Sequence, residues 1–237
     1  WFSWLQGLDK APEGVRVCLA SQMRHLPNYE FRTLDLDSYR QWVELPDYVV
    51  EKYRKGLIPQ ASFSDMLRLA VLKRYGGIWM DASVFCSGFG NEKLQARWDR
   101  IMRSEFMVFR YFRRGEKTPI GLSYWFIAAV PNQIIVSSIL DIVLAYWKDY
   151  DCLVDYYIFH LLLGLALHEF PAIEANMPRE NSFHSIMLGD ALARTFRQEQ
   201  WQDLIDHVSI HKFNFRKVEE ALKNPHSYCA YMVAQRL

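Results

Sequence analysis

Three ionisable residues stand close together in the segment "SDMLRLAVLKRYGGIWMDAS", residues 64–83. Asp65 and Arg68 are three residues apart, which puts them on one face of a helix. Asp81 follows in an apolar, strand-like run, "GIWMDAS", where an unpartnered carboxylate would be costly to bury. Each has a plain structural reading: Asp65 and Arg68 as a helix-start ion pair, Asp81 as half of a buried one. Taken together they form an acid, a base and a second acid beside a strand end. Carboxylates accept from hydroxyls, and a guanidinium donates to carboxylates, phosphates and hydroxyls in a fixed fork. A nucleotide sugar needs such a set, because its sugar hydroxyls seek carboxylate acceptors and its diphosphate seeks a divalent metal and a cation.

The elements that must position these residues are legible from periodicity and punctuation. "SFSDMLRLAVLKRYGG" predicts a helix with Ser62 or Ser64 as its cap, Asp65 near its positive end, Lys73 and Arg74 in its last turn and Gly76 as its stop. The strand "GIWM" then delivers Asp81 at its C-terminal end, where ligands bind in open α/β sheets. Upstream, "WFSWLQG" reads as a strand. "APEGVRVCLASQMRHLP" follows as a helix with Val15, Cys18, Leu19 and Met23 on one face, and "YEFRTLDLD" as a strand burying Phe31 and Leu34. Alternation of this kind predicts an α/β fold with a mostly parallel central sheet flanked by helices. Short helices broken at Pro46, strands in "FMVFRYF" and "SYWFIAAVPN", and helices in "QIIVSSILDIVLAYWKDY" and "VDYYIFHLLLGLALHEF" come next. Beyond Pro178 the pattern is less regular until the short strand of "HVSIHKFNFRK".

Composition narrows the function classes. The 237 residues suit one domain spanning 1–237. With 28 basic against 27 acidic residues there is no general attraction to nucleic acid. A hydrophobic content of 51% and a mean hydropathy of -0.13 describe a globular chain. Cys18, Cys86, Cys152 and Cys229 are widely spaced, which argues against a zinc knuckle or a disulfide framework and favours a reducing cytoplasm. The longest apolar stretch is interrupted by His160 and His168 and is too short to span a bilayer. The chain opens at Trp1 without a signal-like segment, which reads as a first strand truncated at its start. P-loop, GxSxG and HExxH patterns are absent.

The central segment resembles that of the capsular polysaccharide synthesis glycosyltransferases. These are similar to the family 32 sugar transferases with a DXD sequence and, more distantly, to the clostridial glucosylating toxins. "WFSWLQGLDKAPEGVRVCLASQMRHLP", "YWFIAAVPN", "VDYYIFHLLL" and "IHKFNF" support the resemblance across most of the chain. It implies a GT-A fold with additional C-terminal helices, and a retaining, divalent-metal-dependent glycosyltransferase, here a hexosyltransferase. The donor would be a nucleoside diphosphate sugar, UDP-sugar favoured, with Mn2+ or Mg2+ as cofactor. The acceptor would be a surface polysaccharide or lipid-linked glycan, reached in the cytoplasm or at the inner face of the membrane.

By motif position the resemblance places Asp81 at the first acid of DXD, as a catalytic, donor-binding and metal residue. It makes Asp65, Arg68, Trp4, Ser83 and Lys212 donor ligands, with Trp4 beside the base, His211 a metal ligand, and Asp155 a further catalytic acid holding the donor sugar. Ser83 stands where the second acid of DXD would be, and a hydroxyl is a poor substitute for a hard anionic metal ligand. Each assignment has a bland counterpart: Trp4 as core, Asp155 as a helix cap, His211 as a strand-end histidine, and "RYFRRGEK" as a solvated loop rather than an anion or lipid contact. His160 reads as a hydrogen-bonded core residue. The alternative function is a nucleotide-sugar-binding module without transfer activity, an assembly or regulatory partner in which Ser83 marks a lost metal ligand. A hydrolase with clustered acids is the remoter option.

Overall fold

A computed structural model describes residues 1–110 and 121–234. All of the basic segment "RYFRRGEK" after Arg110 lies outside the described residues. The elements are β1 (Phe2–Ser3), α1 (Glu13–His25), β2 (Thr33–Leu34), α2 (Asp47–Arg54), α3 (Gln60–Tyr75), β3 (Gly77–Met80), β4 (Val84–Cys86), α4 (Glu92–Arg103), β5 (Phe106–Arg110) and β6 (Leu122–Ala129). They continue with α5 (Ile134–Asp149), α6 (Ile158–Glu169), α7 (Pro171–Asn176), α8 (Ser182–Ala191), α9 (Gln198–His207), β7 (Ile210–Lys212), α10 (Phe215–Ala221) and α11 (Tyr228–Ala234).

The strands differ from the expected mostly parallel sheet. Among the described residues β1 and β2 are the only two strands that pair in parallel, Phe2 opposite Thr33 and Ser3 opposite Leu34. The centre is β3-β6-β5, antiparallel throughout, and β4 pairs antiparallel with β7. The reason lies in β6. Strands β3 and β5 run the same way, as the alternation of strand and helix requires, but β6 returns between them and pairs with both: Ile127 faces Trp79 on one side and Val108 on the other. Trp1 ties the parallel pair to this centre, its nitrogen donating to the Ile78 carbonyl at 2.7 Å and its carbonyl accepting from the Met80 N–H at 3.1 Å. The stretch after Pro178 is also more ordered than its sequence suggests, since α8 and α9 lie there.

Helix α3 is the structural centre of the first core. Phe63, Met66, Leu67, Leu69, Val71 and Leu72 are buried on almost every side of it, the pattern of an interior helix rather than a surface one. It begins after Pro59, not at Ser62 or Ser64, so Asp65 sits in the second turn rather than at the dipole's positive end. A second core of Val17, Cys18, Phe85, Leu188, Trp201, Phe213 and Tyr228 packs the C-terminal helices against α1, β4 and β7. The four cysteines are unpaired, and no helix among the described residues is long and apolar enough to cross a membrane.

Gly76 makes the turn from α3 into β3. Its φ of 65° and ψ of -155° belong to a region that essentially only glycine occupies. A Cβ there would lie 2.7 Å from Pro131 and 2.8 Å from the Ala129 carbonyl oxygen. Gly76→Ala is therefore expected to cost about 2–3 kcal/mol, or roughly 5–10 °C of melting temperature. Thermal unfolding followed by circular dichroism tests it, and an unchanged transition would show that this turn does not anchor the helix to the strand.

Candidate functional site

Asp81 is the first residue beyond β3, and its N–H still bonds to the Trp125 carbonyl of β6 at 2.9 Å. A turn closed by the Val84 N–H on the Asp81 carbonyl at 3.0 Å then redirects the chain into β4. The side chain is thus held at the strand's C-terminal end, as the motif predicts. Its Oδ1 accepts from Arg68 Nη2 at 2.8 Å and from Trp79 Nε1 at 3.0 Å, and its Oδ2 accepts from Lys212 Nζ at 3.0 Å. Arg68 also bonds Asp65 Oδ1 at 3.1 Å and donates through Nη1 to the Tyr124 carbonyl. Its guanidinium lies 4.9 Å from the Trp79 ring centroid and 4.7 Å from that of Tyr124, favourable cation–π geometry.

Five of the expected residues therefore meet: Asp65, Arg68, Asp81, Ser83 and Lys212. The last two touch directly, with Lys212 Nζ donating to Ser83 Oγ at 2.6 Å. Pairing of β4 with β7 makes this contact, because Val84 faces Lys212 and the Phe213 N–H bonds the Ser83 carbonyl at 2.9 Å. Trp4 is half-buried and packs, with Ala82, against the small cluster of Phe2, Ala11 and Val15, on the approach to the Asp81 turn.

Two expected residues stand elsewhere. Alternation along β7 sends His211 to the face opposite Lys212, where it is fully buried and its Nε2 lies 2.8 Å from Ser87 Oγ. Burial drives its pKa down to about 3, so it is a neutral imidazole packed in the core, on the other side of the strand from the Asp81 network. Asp155 is exposed, and its carboxylate accepts the Tyr157 N–H at 2.6 Å, capping the approach to α6. It makes no contact with the Asp81 network among the described residues, so the structure does not bring it together with the other expected site residues.

Residues passed over by sequence reasoning complete the surroundings. Trp79 shares a strand face with Asp81 through the two-residue period, a signal present in "GIWMD". Tyr124 flanks Arg68 from β6, and its hydroxyl is buried without a hydrogen-bond partner among the described residues. His160, expected as a hydrogen-bonded core residue, instead reaches this wall from α6, its ring 5.8 Å from that of Tyr124 and its Nδ1 buried without a hydrogen-bond partner among the described residues. Burial and the Arg68 charge lower its pKa, with Asp81 opposing.

Electrostatics separates the two acids. Burial opposes charge on Asp81, but Lys212, Arg68 and the hydrogen bonds from Trp79 and Lys212 outweigh it and hold the carboxyl below its ordinary range. Asp65 has only Arg68 against burial and the neighbouring Asp81 charge, and is pushed up to about 6. The site thus keeps one firmly ionised carboxylate and one that titrates near neutrality.

A divalent cation does not fit this set. Both Asp81 oxygens are engaged by cationic donors, Asp65 is paired with Arg68, and His211 faces elsewhere. No group of three or more His, Cys, Asp or Glu side chains among the described residues is arranged to hold a metal. A second positive centre beside the guanidinium and the ammonium would also meet direct repulsion.

Comparison with known proteins agrees with the resemblance of the central segment. The family described as capsular polysaccharide synthesis protein matches residues 1–232, and the chain belongs to that family. Among solved structures it is similar to "PaToxG Glycosyltransferase" at 14% identity and a TM-score of 0.49, over 99% of this chain and 80% of that one. At that distance the likeness carries no functional argument. Comparison with curated proteins gives no match.

The raised Asp65 value has a consequence for stability. The folded carboxyl holds its proton above its ordinary 3.8, so stability is fully present below that value and is lost as pH rises through about 6. Relative to wild type, Asp65→Asn should gain roughly 2–3 kcal/mol between pH 4 and pH 8. Urea unfolding at both pH values measures this, and a constant difference between the two proteins would mean that Asp65 carries no desolvation cost.

Proposed function

We propose that this chain is a glycosyltransferase. It would move a sugar, a hexose in the simplest case, from a nucleoside diphosphate donor to a growing surface polysaccharide or its lipid-linked precursor. The observation that supports this reading most is the Asp65–Arg68–Asp81–Lys212 network at the C-terminal end of β3, in a chain whose family is that of polysaccharide synthesis. An alternating series of carboxylates and cations suits a ligand that is polyhydroxylated at one end and anionic at the other. A GT-A fold, a UDP-sugar donor and retention of anomeric configuration belong to the same reading, and rest on the resemblance of the central segment.

In this reading the residues divide the work by charge. Asp65 and Asp81 accept from sugar hydroxyls, while Arg68, fixed by Tyr124 and Trp79, donates to the sugar and holds both acids in place. Because it is already ordered by four neighbours, it spends little entropy on capturing the donor, and its contribution is mainly position. Lys212 lies where negative charge gathers when the bond from the anomeric carbon to the diphosphate breaks, the setting in which a preorganised cation contributes most. Trp4 covers the approach as an aromatic platform for the base.

The test is release of nucleoside diphosphate from a panel of UDP- and GDP-sugars, with binding of each donor recorded in the same samples. Asp81→Asn should lower kcat/KM by at least ~100-fold for the accepted donor. Arg68→Lys should lower it by ~10-fold or more, since an ammonium cannot replace the fork. Donor binding without turnover, even with glycan acceptors supplied, would replace this reading with a binding module.

A further inference from the structure

We propose that Lys212 is the resident cation of the site, and that the donor's diphosphate binds to it and to Ser83 without a divalent metal. This deepens the transferase reading and rests on it. Lys212 Nζ lies 3.0 Å from Asp81 Oδ2 and 2.6 Å from Ser83 Oγ. It therefore bridges the two motif positions that would otherwise share a metal. An ammonium has three donors, and these contacts use two, which leaves one N–H for a phosphate oxygen. Ser83 accepts from Lys212, so its own hydroxyl proton is available to a second oxygen.

Both residues line a cavity of about 410 Å³, together with Gly189, Asp190, Asn214 and Lys217. Lys217 and Asp190 pair with each other at 2.9 Å on this wall and balance in charge, which leaves Lys212 as the cation that faces the cavity beside Ser83. The backbone of Lys212 is held by its neighbours in the fold, and its ammonium by Asp81 and Ser83. β7 is paired to β4 on one side, and α8 approaches it so closely that a Cβ on Gly189 would lie 3.0 Å from the Lys212 carbonyl oxygen. A charge held this way needs no reorganisation as the leaving group forms.

The transfer step balances without a metal. The bond between the anomeric carbon and the diphosphate oxygen breaks, and its electron pair leaves with the diphosphate. The acceptor oxygen bonds to the anomeric carbon, and its proton passes to the departing diphosphate oxygen. Lys212 remains an ammonium throughout and holds the diphosphate by charge and hydrogen bond.

Isothermal titration of UDP and GDP into the full chain tests this, in chelator and in excess Mn2+. For whichever nucleotide binds, wild-type affinity should agree within about threefold between the two conditions. Lys212→Met should weaken binding in chelator by ~100-fold, and Mn2+ should recover part of it, because Asp81 Oδ2 is then free for a metal. Lys212→Arg, which keeps the charge, should stay within ~10-fold of wild type and decides the matter if the methionine variant fails to fold. Wild-type binding that disappears in chelator, or an unchanged Lys212→Met, overturns the inference while leaving the transferase reading intact. Failure of both nucleotides to bind in either condition removes that reading, and this inference with it.

Discussion

Everything around the site follows from the decision to place a charged carboxylate, Asp81, at the end of a strand whose neighbours are tryptophan, methionine and an interior helix. Such a charge is tolerated only if its lone pairs are filled and its field is neutralised. Arg68 and Trp79 take one oxygen and Lys212 takes the other. Arg68 is itself nearly buried and needs its own acceptors, which Asp65 and the Tyr124 carbonyl supply. The network is interdependent around Asp81: removing Arg68 or Lys212 leaves its carboxylate short of compensation, and the core of α3, β3 and β6 encloses that dependence.

The part of this arrangement that lies close in sequence was legible from sequence. Asp65, Arg68 and Asp81 fall within one helix–turn–strand unit, so helical spacing and strand termination were enough to bring them together. Helices α1, α3, α5 and α6 were legible for the same reason, since each has a long apolar pattern. Lys212 was found by likeness to a motif, and its contact with Ser83 depends on the register of β4 against β7, which no local pattern encodes. His211 shows the limit most clearly. It neighbours Lys212 and shares its motif, yet the two-residue period of a strand sends it into the opposite core. Asp155 stands apart for a different reason, because its carboxylate accepts locally from the backbone N–H two residues on, just before α6.

The sheet departs from the pattern of its sequence through topology rather than local structure. The alternation of strands and helices was real, and β3 and β5 do run in the same direction. What periodicity does not reveal is that β6 is inserted between them, turning an expected parallel neighbour into two antiparallel ones. The C-terminal end of β3, where the site forms, is unaffected by that difference. The position of Asp81 depends on where the strand stops and on Gly76 aiming it, not on the direction of its neighbour.

The ion pair between Lys212 and Asp81 closes across 131 positions of the chain. Contacts of such separation form late, since the loop entropy must be met before they can reward it. Synthesis proceeds from the N-terminus, so α3, β3 and β6 emerge and can pack well before β7 exists. Until β7 docks, Asp81 has Arg68 but lacks its second cation, and the half-built site carries an unbalanced negative charge. The last strand thus completes the electrostatics of the core, so the charge balance around Asp81 is reached only when the C-terminal part of the chain has docked.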